Sequence, residues 1–244
     1  MKRKPRPHPL PAEVVFLFDV DNTLLDGDRI NADLRRFLRR EVGVTRARRY
    51  WSLFEELRSR LGYADYLGAL QHYRVEYPHD LSLLAVSHFL IDYPFADRLF
   101  PHSLEVIAKA GSIGPVVLLT DGDVVFQPHK LDRAGLNAAV AGRVLIYVHK
   151  ERELADVEAR YPANHYVMVD DKPRILAAIK DVWRQRVTTV FVRQGHYARD
   201  KITLAAYPPA DVTIGRIGDL LNCDSLSKWG GQKPRPPNRI PPAK

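Results

Sequence analysis

Val15-Phe16-Leu17-Phe18-Asp19-Val20-Asp21-Asn22-Thr23-Leu24 runs a short, wholly apolar stretch straight into two carboxylates set two positions apart. So short a run, rich in β-branched and aromatic residues, predicts a strand buried on both faces, which is the habit of a central strand in a parallel sheet. Asp19 and Asp21 then fall where the strand runs out, and in open parallel sheets ligands bind at the carboxyl ends of the strands. Asn22 and Thr23 mark the start of a loop. Two carboxylates crowded into one small volume repel each other unless a cation or a shared proton intervenes. Taken alone, the pair also fits a solvated strand-to-loop junction with Asp and Asn as turn formers.

Three further segments bear on that choice. Pro115-Val116-Val117-Leu118-Leu119-Thr120-Asp121-Gly122-Asp123 is another apolar strand, ending in a hydroxyl and a Gly turn suited to a phosphate oxygen. Arg143-Val144-Leu145-Ile146-Tyr147-Val148-His149-Lys150 brings an ammonium to the end of a third strand, and Tyr166-Val167-Met168-Val169-Asp170-Asp171 brings two more carboxylates to the end of a fourth. Together they form the inventory needed to hold Mg²⁺ and a phosphate while an oxygen nucleophile attacks.

In this order and spacing the chain resembles the haloacid dehalogenase-like superfamily, whose first motif is D-x-D-x-T after a strand, followed by a Ser/Thr, a Lys and an acidic pair. The resemblance spans Glu13 to Leu221. It departs from the common G-D-x-x-x-D pattern in having Asp170 and Asp171 adjacent, with Arg174 where the later Asp would stand. The resemblance implies a Mg²⁺-dependent phosphatase in which Asp19 is the nucleophile that becomes an aspartyl-phosphate and Asp21 is the acid/base. Thr120 would bind the phosphoryl group, helped by Asp121 and Gly122, and Lys150 would neutralise charge. The metal would be held by Asp19, the main-chain carbonyl of Asp21, Asp170 and Asp171, an all-oxygen set suited to a hard cation.

Two other lysines follow strands. Lys130 sits in the pattern Phe126–Ala134, closed by Gly135, and is expected on a helix surface; Lys172 precedes Pro173, a first-turn residue, and is expected to face solvent. Lys150 is the expected active-site lysine.

Strands at 187–192 and 211–214, with helical patterns at 103–110, 126–134, 151–160, 173–182 and 217–222, complete an alternating α/β series. That alternation predicts a Rossmann-like, doubly wound parallel sheet. The interval between the first two strands is longer than a crossover helix needs. Apolar rows at Ile30, Leu34, Phe37, Leu38, then Trp51, Phe54, Leu57, Leu61, then Leu81, Leu84, Ala85, His88, Phe89 predict several packed helices. The resemblance makes residues 27–94 an α-helical cap inserted into a catalytic core formed by residues 12–26 and 95–227.

Asp21 argues against a dehalogenase, which needs no acid/base two residues after its nucleophile. Residues 27–94 contain no lysine, which argues against a phosphonatase using a cap lysine. A phosphomutase acting on a sugar phosphate keeps the same motifs and stays open. Arg46, Arg48, Arg49, Arg58 and Arg74 are candidates to meet a second anionic group of the substrate, against the alternative of solvated helix faces. His149, His196, Asp123, Trp51, Tyr63 and Tyr66 read as surface, capping or core residues.

The 244 residues carry a formal charge of +8, but nine basic residues lie in the Pro-rich ends 1–11 and 228–244, which contain no acid, so the body carries about one net negative charge. Basicity therefore belongs to the tails. A binding protein that uses those tails to hold nucleic acid is the contrasting reading; no nucleic-acid motif supports it. The single cysteine, Cys223, excludes an intrachain disulfide and fits a reducing cytoplasm. No apolar run is long enough to span a membrane, and the basic start Met1-Lys2-Arg3-Lys4 leads to an apolar stretch too short for a secretion signal. The expected partner is a small phosphorylated substrate; oligomeric state is not legible.

Overall fold

A computed structural model describes residues 10–222. Six strands form one parallel sheet: β1 (Ala12–Phe18), β2 (Val116–Asp121), β3 (Val144–Tyr147), β4 (Ala163–Asp170), β5 (Val187–Val192) and β6 (Val212–Ile214), in the order β3-β2-β1-β4-β5-β6. The alternation of period two along β1 sorts its side chains. Val14, Phe16 and Phe18 face one apolar layer, Val15 and Leu17 the other.

Among the described residues, ten α-helices accompany the sheet. The first four, which make up the cap, are α1 (Gly27–Glu41), α2 (Gly43–Leu61), α3 (Tyr66–Glu76) and α4 (Leu83–Asp92). The others are α5 (Ser103–Gly111), α6 (Phe126–Arg133), α7 (Leu136–Ala139), α8 (Leu154–Arg160), α9 (Pro173–Trp183) and α10 (Lys201–Ala206). Val106 and Ile107 of α5, Phe126 of α6 and Leu136 of α7 cover the first face, while Val157 of α8 and Ile175, Ile179 and Trp183 of α9 cover the second. The result is the expected doubly wound α/β fold with an α-helical cap.

Register brings the strand ends together. Phe18 pairs with Leu118 on one side and Val169 on the other. Asp19 therefore stands level with Leu119 and Asp170, and its amide donates to the Val169 carbonyl at 2.9 Å. The chain leaves β1 toward β2 and later returns to β4 on the opposite side, so β1 and β4 flank the point where the winding reverses, where such sheets bind ligands.

Helices α1 to α4 pack into a layer whose apolar interior joins the first face of the sheet, with Leu34, Tyr50, Phe54, Tyr73, Val86 and Leu90 buried in one continuous cluster. Asp26 caps α1, accepting from the Arg29 amide at 2.8 Å, and Asp65 caps α3, accepting from the Gly68 amide at 2.6 Å. Gly62 closes α2 at φ +85°, a left-handed conformation natural for glycine. Two details differ from expectation. Leu81 and Leu84 are 95% and 72% exposed, because α4 begins only at Leu83 and buries the Val86–Leu90 stripe instead. Lys150 does not end its strand: β3 stops at Tyr147 and Lys150 opens a 3-10 turn, Lys150–Arg152.

Among the described residues no helix is long and apolar enough to cross a membrane. The basic tails, apart from Leu10 and Pro11, and Cys223 lie outside the described residues.

Candidate active site

Asp19 is 1% exposed at the carboxyl end of β1. One oxygen, Oδ2, accepts from the Thr23 hydroxyl at 3.2 Å; the other, Oδ1, accepts from Lys150 Nζ at 2.5 Å. Lys150 is fully buried; its Nζ donates to Asp19 and to the Leu119 carbonyl at 3.1 Å and forms an ion pair with Asp170 Oδ2 at 2.7 Å. Its burial works against the charged form, yet Asp170 and Asp19 outweigh it and hold the ammonium above its usual range.

Asp170 and Asp171 are both fully buried, and carboxylate oxygens of Asp19, Asp170 and Asp171 all lie within 4.8 Å of one another. The Asp170 carboxyl accepts from the Lys172 amide at 2.8 Å. Burial, reinforced by Asp19 and only partly offset by Lys150, pushes Asp170 up to about 6. Burial likewise drives Asp171 well above the carboxylate range. Neither oxygen of Asp171 has a hydrogen-bond partner. Buried acceptors of this kind need a partner, and a hard cation is one that all three residues could share.

Asp21 points from the same strand end toward α6. Lys130 Nζ reaches both of its oxygens, at 2.6 and 2.7 Å, and Gln127 Nε2 donates to Oδ2 at 3.2 Å. Burial would raise the Asp21 carboxyl, but the charge and hydrogen bonds of Lys130 prevail and hold it below the ordinary range. Lys130 is therefore not a helix-surface residue: it is 4% exposed, on the inner face of α6 with Phe126, Gln127 and Leu131. Lys172 is likewise drawn inward rather than to solvent. It lines the cleft at the start of α9, and Asp19, Asp171 and Asp170 raise its ammonium against the opposing effect of burial.

Gln127 also donates to the Thr120 hydroxyl oxygen at 2.8 Å. With its oxygen accepting there, the Thr120 hydroxyl donates its proton to the Asp121 carbonyl at a long 3.4 Å. Gly122 serves differently from expectation: its amide donates to the Tyr147 carbonyl at 3.0 Å. What it contributes is room, since a Cβ there would lie 3.1 Å from Gln127 Cβ. Asp121 turns toward Lys150 and accepts from its amide at 2.8 Å, with its carboxyl raised by burial.

The loop after Asp21 is fixed from the far side of the sheet. Asn22 adopts φ 61°, and Gly195, at φ +68°, packs so closely that a Cβ would come within 2.7 Å of Asn22 Cβ. Gln194 donates to the Thr23 carbonyl at 3.1 Å, and His196 Nδ1 lies 2.7 Å from Asp28 Oδ1. Between this platform and the helical layer lies a cleft of about 790 Å³, with Asp21, Asp121, Lys130 and Lys172 at its base and Arg35, Trp51 and Arg58 among its upper walls.

Residues 14–183 match the model of the haloacid dehalogenase-like hydrolase family. This chain belongs to that family. Among solved structures, a haloacid dehalogenase-like hydrolase of Burkholderia xenovorans LB400 is 60% identical, over 88% of this chain and 100% of that one, with a TM-score of 0.83. The L-2-haloacid dehalogenase of Xanthobacter autotrophicus is 18% identical over 91% and 100% of the two chains, TM-score 0.55. The HAD-hydrolase YfnB of Bacillus subtilis, solved bound to magnesium, is 14% identical over 86% and 98%, TM-score 0.58. The last two likenesses show a shared fold. No curated protein matches the chain.

For this haloacid dehalogenase-like hydrolase, the structure brings Asp19, Asp21, Thr120, Lys150, Asp170 and Asp171 to one end of the sheet. Arg174, standing where a later acidic residue was expected, pairs with Glu151 at 2.6 Å and lines the cleft. Of the cap arginines picked out by type, Arg46 and Arg49 are occupied by Asp80 and by Glu56 and Glu76. Gln127 and Lys130 are the residues that sequence reasoning missed. Their spacing of three, on the face of α6 that also carries Phe126 and Leu131, is the signal that could have found them.

Proposed function

We propose that this hydrolase is a Mg²⁺-dependent phosphatase acting on a small phosphate monoester through an aspartyl-phosphate at Asp19. The observation that carries the reading is a carboxylate at Asp21, two residues past the nucleophile, held in the cleft by its own lysine and glutamine. Attack by a carboxylate on phosphorus expels an alcohol that needs a proton, and the later attack of water needs a base; one carboxyl at this position serves both steps.

Asp19 Oδ attacks phosphorus and the P–O bond to the alcohol breaks, the departing oxygen taking its proton from Asp21. In the free protein Lys130 favours ionised Asp21; the dianionic phosphate arriving beside it raises its affinity for that proton. Water then attacks phosphorus, Asp21 takes the proton back, phosphate leaves and Asp19 is restored. Lys150 offsets charge at the Asp19 carboxylate, and Thr120 offers its hydroxyl proton to a phosphoryl oxygen.

Asp19, Asp170 and Asp171 would hold the metal, together with the Asp21 main-chain carbonyl that the family resemblance implies. Unpartnered Asp171 oxygens and the all-oxygen donor set support that assignment. When bound, Mg²⁺ supplies positive charge against which an anionic phosphate can approach a carboxylate. One cysteine in 244 residues agrees with work in a reducing cytoplasm.

The test is release of inorganic phosphate from an aryl phosphate with Mg²⁺, set beside halide release from 2-chloropropionate and isomerisation of a sugar phosphate. Phosphate release lost in Asp19→Asn is the expected result. Halide release without phosphate release would make the protein a dehalogenase, and isomerisation without free phosphate a mutase.

A further inference from the structure

Most cap arginines are spent on neighbouring acids. Arg29 and Arg36 pair with Asp33, Arg40 with Glu41, Arg46 with Asp80, and Arg49 with Glu56 and Glu76. Arg35 is different. It lines the cleft from α1, and its guanidinium rests 3.8 Å from the centre of the Trp51 ring, with no carboxylate partner among the described residues. Trp51 itself is 8% exposed, and its indole Nε1 is buried without a hydrogen-bond partner.

A second hollow of about 280 Å³ adjoins the cleft, and Arg35 and Trp51 line both. Its remaining lining includes Arg39 and Arg48, which like Arg35 have no acidic partner among the described residues. Three arginines without acidic partners among the described residues thus line a hollow that adjoins a cleft whose lining includes Asp21. The cleft is far larger than one phosphate group requires. A guanidinium resting over an indole face is held in place while its N–H groups stay available, which suits it to grip an oxyanion.

We propose that Arg35, set on Trp51 and backed by Arg39 and Arg48, recognises a second oxyanion at the end of the substrate remote from the scissile phosphate. This rests on the phosphatase reading and narrows it: the substrate is a phosphate monoester with a phosphoryl or carboxylate group at its other end. Phe54 and Tyr66, on the wall between the two ends, would pack against the part that joins them. Arg35 is a specificity residue and touches no reacting atom.

The test uses the full-length protein with Mg²⁺ and paired substrates: fructose 1,6-bisphosphate against fructose 6-phosphate, and 3-phosphoglycerate against glycerol 3-phosphate. The first pair reads a distal phosphoryl group, the second a distal carboxylate. Wild-type protein should prefer the bis-anion in at least one pair. Arg35→Gln should raise KM for it about 10–100-fold with kcat little changed, and leave p-nitrophenyl phosphate hydrolysis as it was. Arg35→Lys, which keeps the charge but loses the planar fork, should fall between. No preference in either pair, or an equal loss on p-nitrophenyl phosphate, would overturn the proposal.

A readout free of turnover separates this from failure of the phosphatase reading. Fructose 1,6-bisphosphate and 3-phosphoglycerate are titrated into Asp19→Asn protein while tryptophan fluorescence is followed. A saturable change that disappears in both the Arg35→Gln and Trp51→Phe backgrounds supports the subsite even if no ester is hydrolysed. No saturable change with either ligand, or one indifferent to Arg35, contradicts it.

Discussion

Lys130 Nζ sits 2.6 and 2.7 Å from the two oxygens of Asp21, so the carboxylate assigned to proton transfer is gripped by a cation of its own. That grip fixes where the carboxyl points and keeps it charged until substrate arrives. Lys130→Met should therefore lower turnover by roughly 10–100-fold, the scale of one positioned acid/base group. The loss should be greater on an alkyl phosphate, whose alcohol must be protonated as it leaves, than on p-nitrophenyl phosphate, whose phenolate needs little help. Steady-state rates on the two esters check this.

Burial and the charge of Asp19 raise Asp170 to about 6 in the absence of an ion. An ordinary unfolded Asp releases its proton near pH 4, about 3.9. Between those values the folded protein holds the extra proton, so this group's contribution to stability falls as pH rises through about 6. A divalent ion replaces the proton and removes that loss. Mg²⁺ at about 100 times its Kd should add about 2.7 kcal/mol, or roughly 5–10 °C in Tm for a chain of this size. The gain should be present at pH 8, shrink toward pH 5, and vanish in Asp170→Asn, as thermal unfolding with and without Mg²⁺ would measure.

Asp33, on α1, ties the cap to the segment by which the chain returns to the core. Its Oδ2 accepts from the Tyr93 hydroxyl at 2.5 Å and from Arg98 Nη2 at 3.0 Å. Burial acts to raise the carboxyl, but Tyr93 and Arg98 overcome it and hold it low. The stabilisation is thus present above about pH 4 and lost as pH falls below that. Asp33→Asn should cost about 1–3 kcal/mol at neutral pH. Urea unfolding should show the gap between variant and parent narrowing near pH 3.

Gly195 occupies φ +68° against Asn22, with no room for a Cβ. Gly195→Ala should destabilise the protein by about 1–3 kcal/mol from backbone strain. Because Asn22 directly follows Asp21, activity should fall as well. Chemical denaturation and turnover measured on the same preparation would show both effects.

The strands were legible because each is an apolar run that ends in a charged or hydroxyl residue, and parallel pairing in register turned four such endings into one site. Strand β5 matches its expected bounds at Val187–Val192. Helices were less legible where polarity misleads. In α3 the helical signal is faint, because buried Ala69, Leu70 and Tyr73 alternate with Gln71, His72 and Arg74. Lys130 was expected on a helix surface from its place in the 126–134 pattern and Lys172 toward solvent because it precedes Pro173, whereas the acidic strand ends facing them draw both inward. Composition records charge but not what stands opposite it. Gly122 was misread for a related reason, since a Gly turn after a strand signals either an exposed amide or a need for space, and here Gln127 takes the space.

The most direct test of the account is acid-quenched mass spectrometry of the Asp21→Asn protein after incubation with Mg²⁺ and p-nitrophenyl phosphate. With the leaving group activated and the base for water removed, the covalent intermediate should accumulate, and peptide mapping should find one phosphoryl group on Asp19. An unmodified Asp19 accompanied by continuing phosphate release, or a phosphoryl group on any other residue, would contradict the assignment of Asp19 as nucleophile.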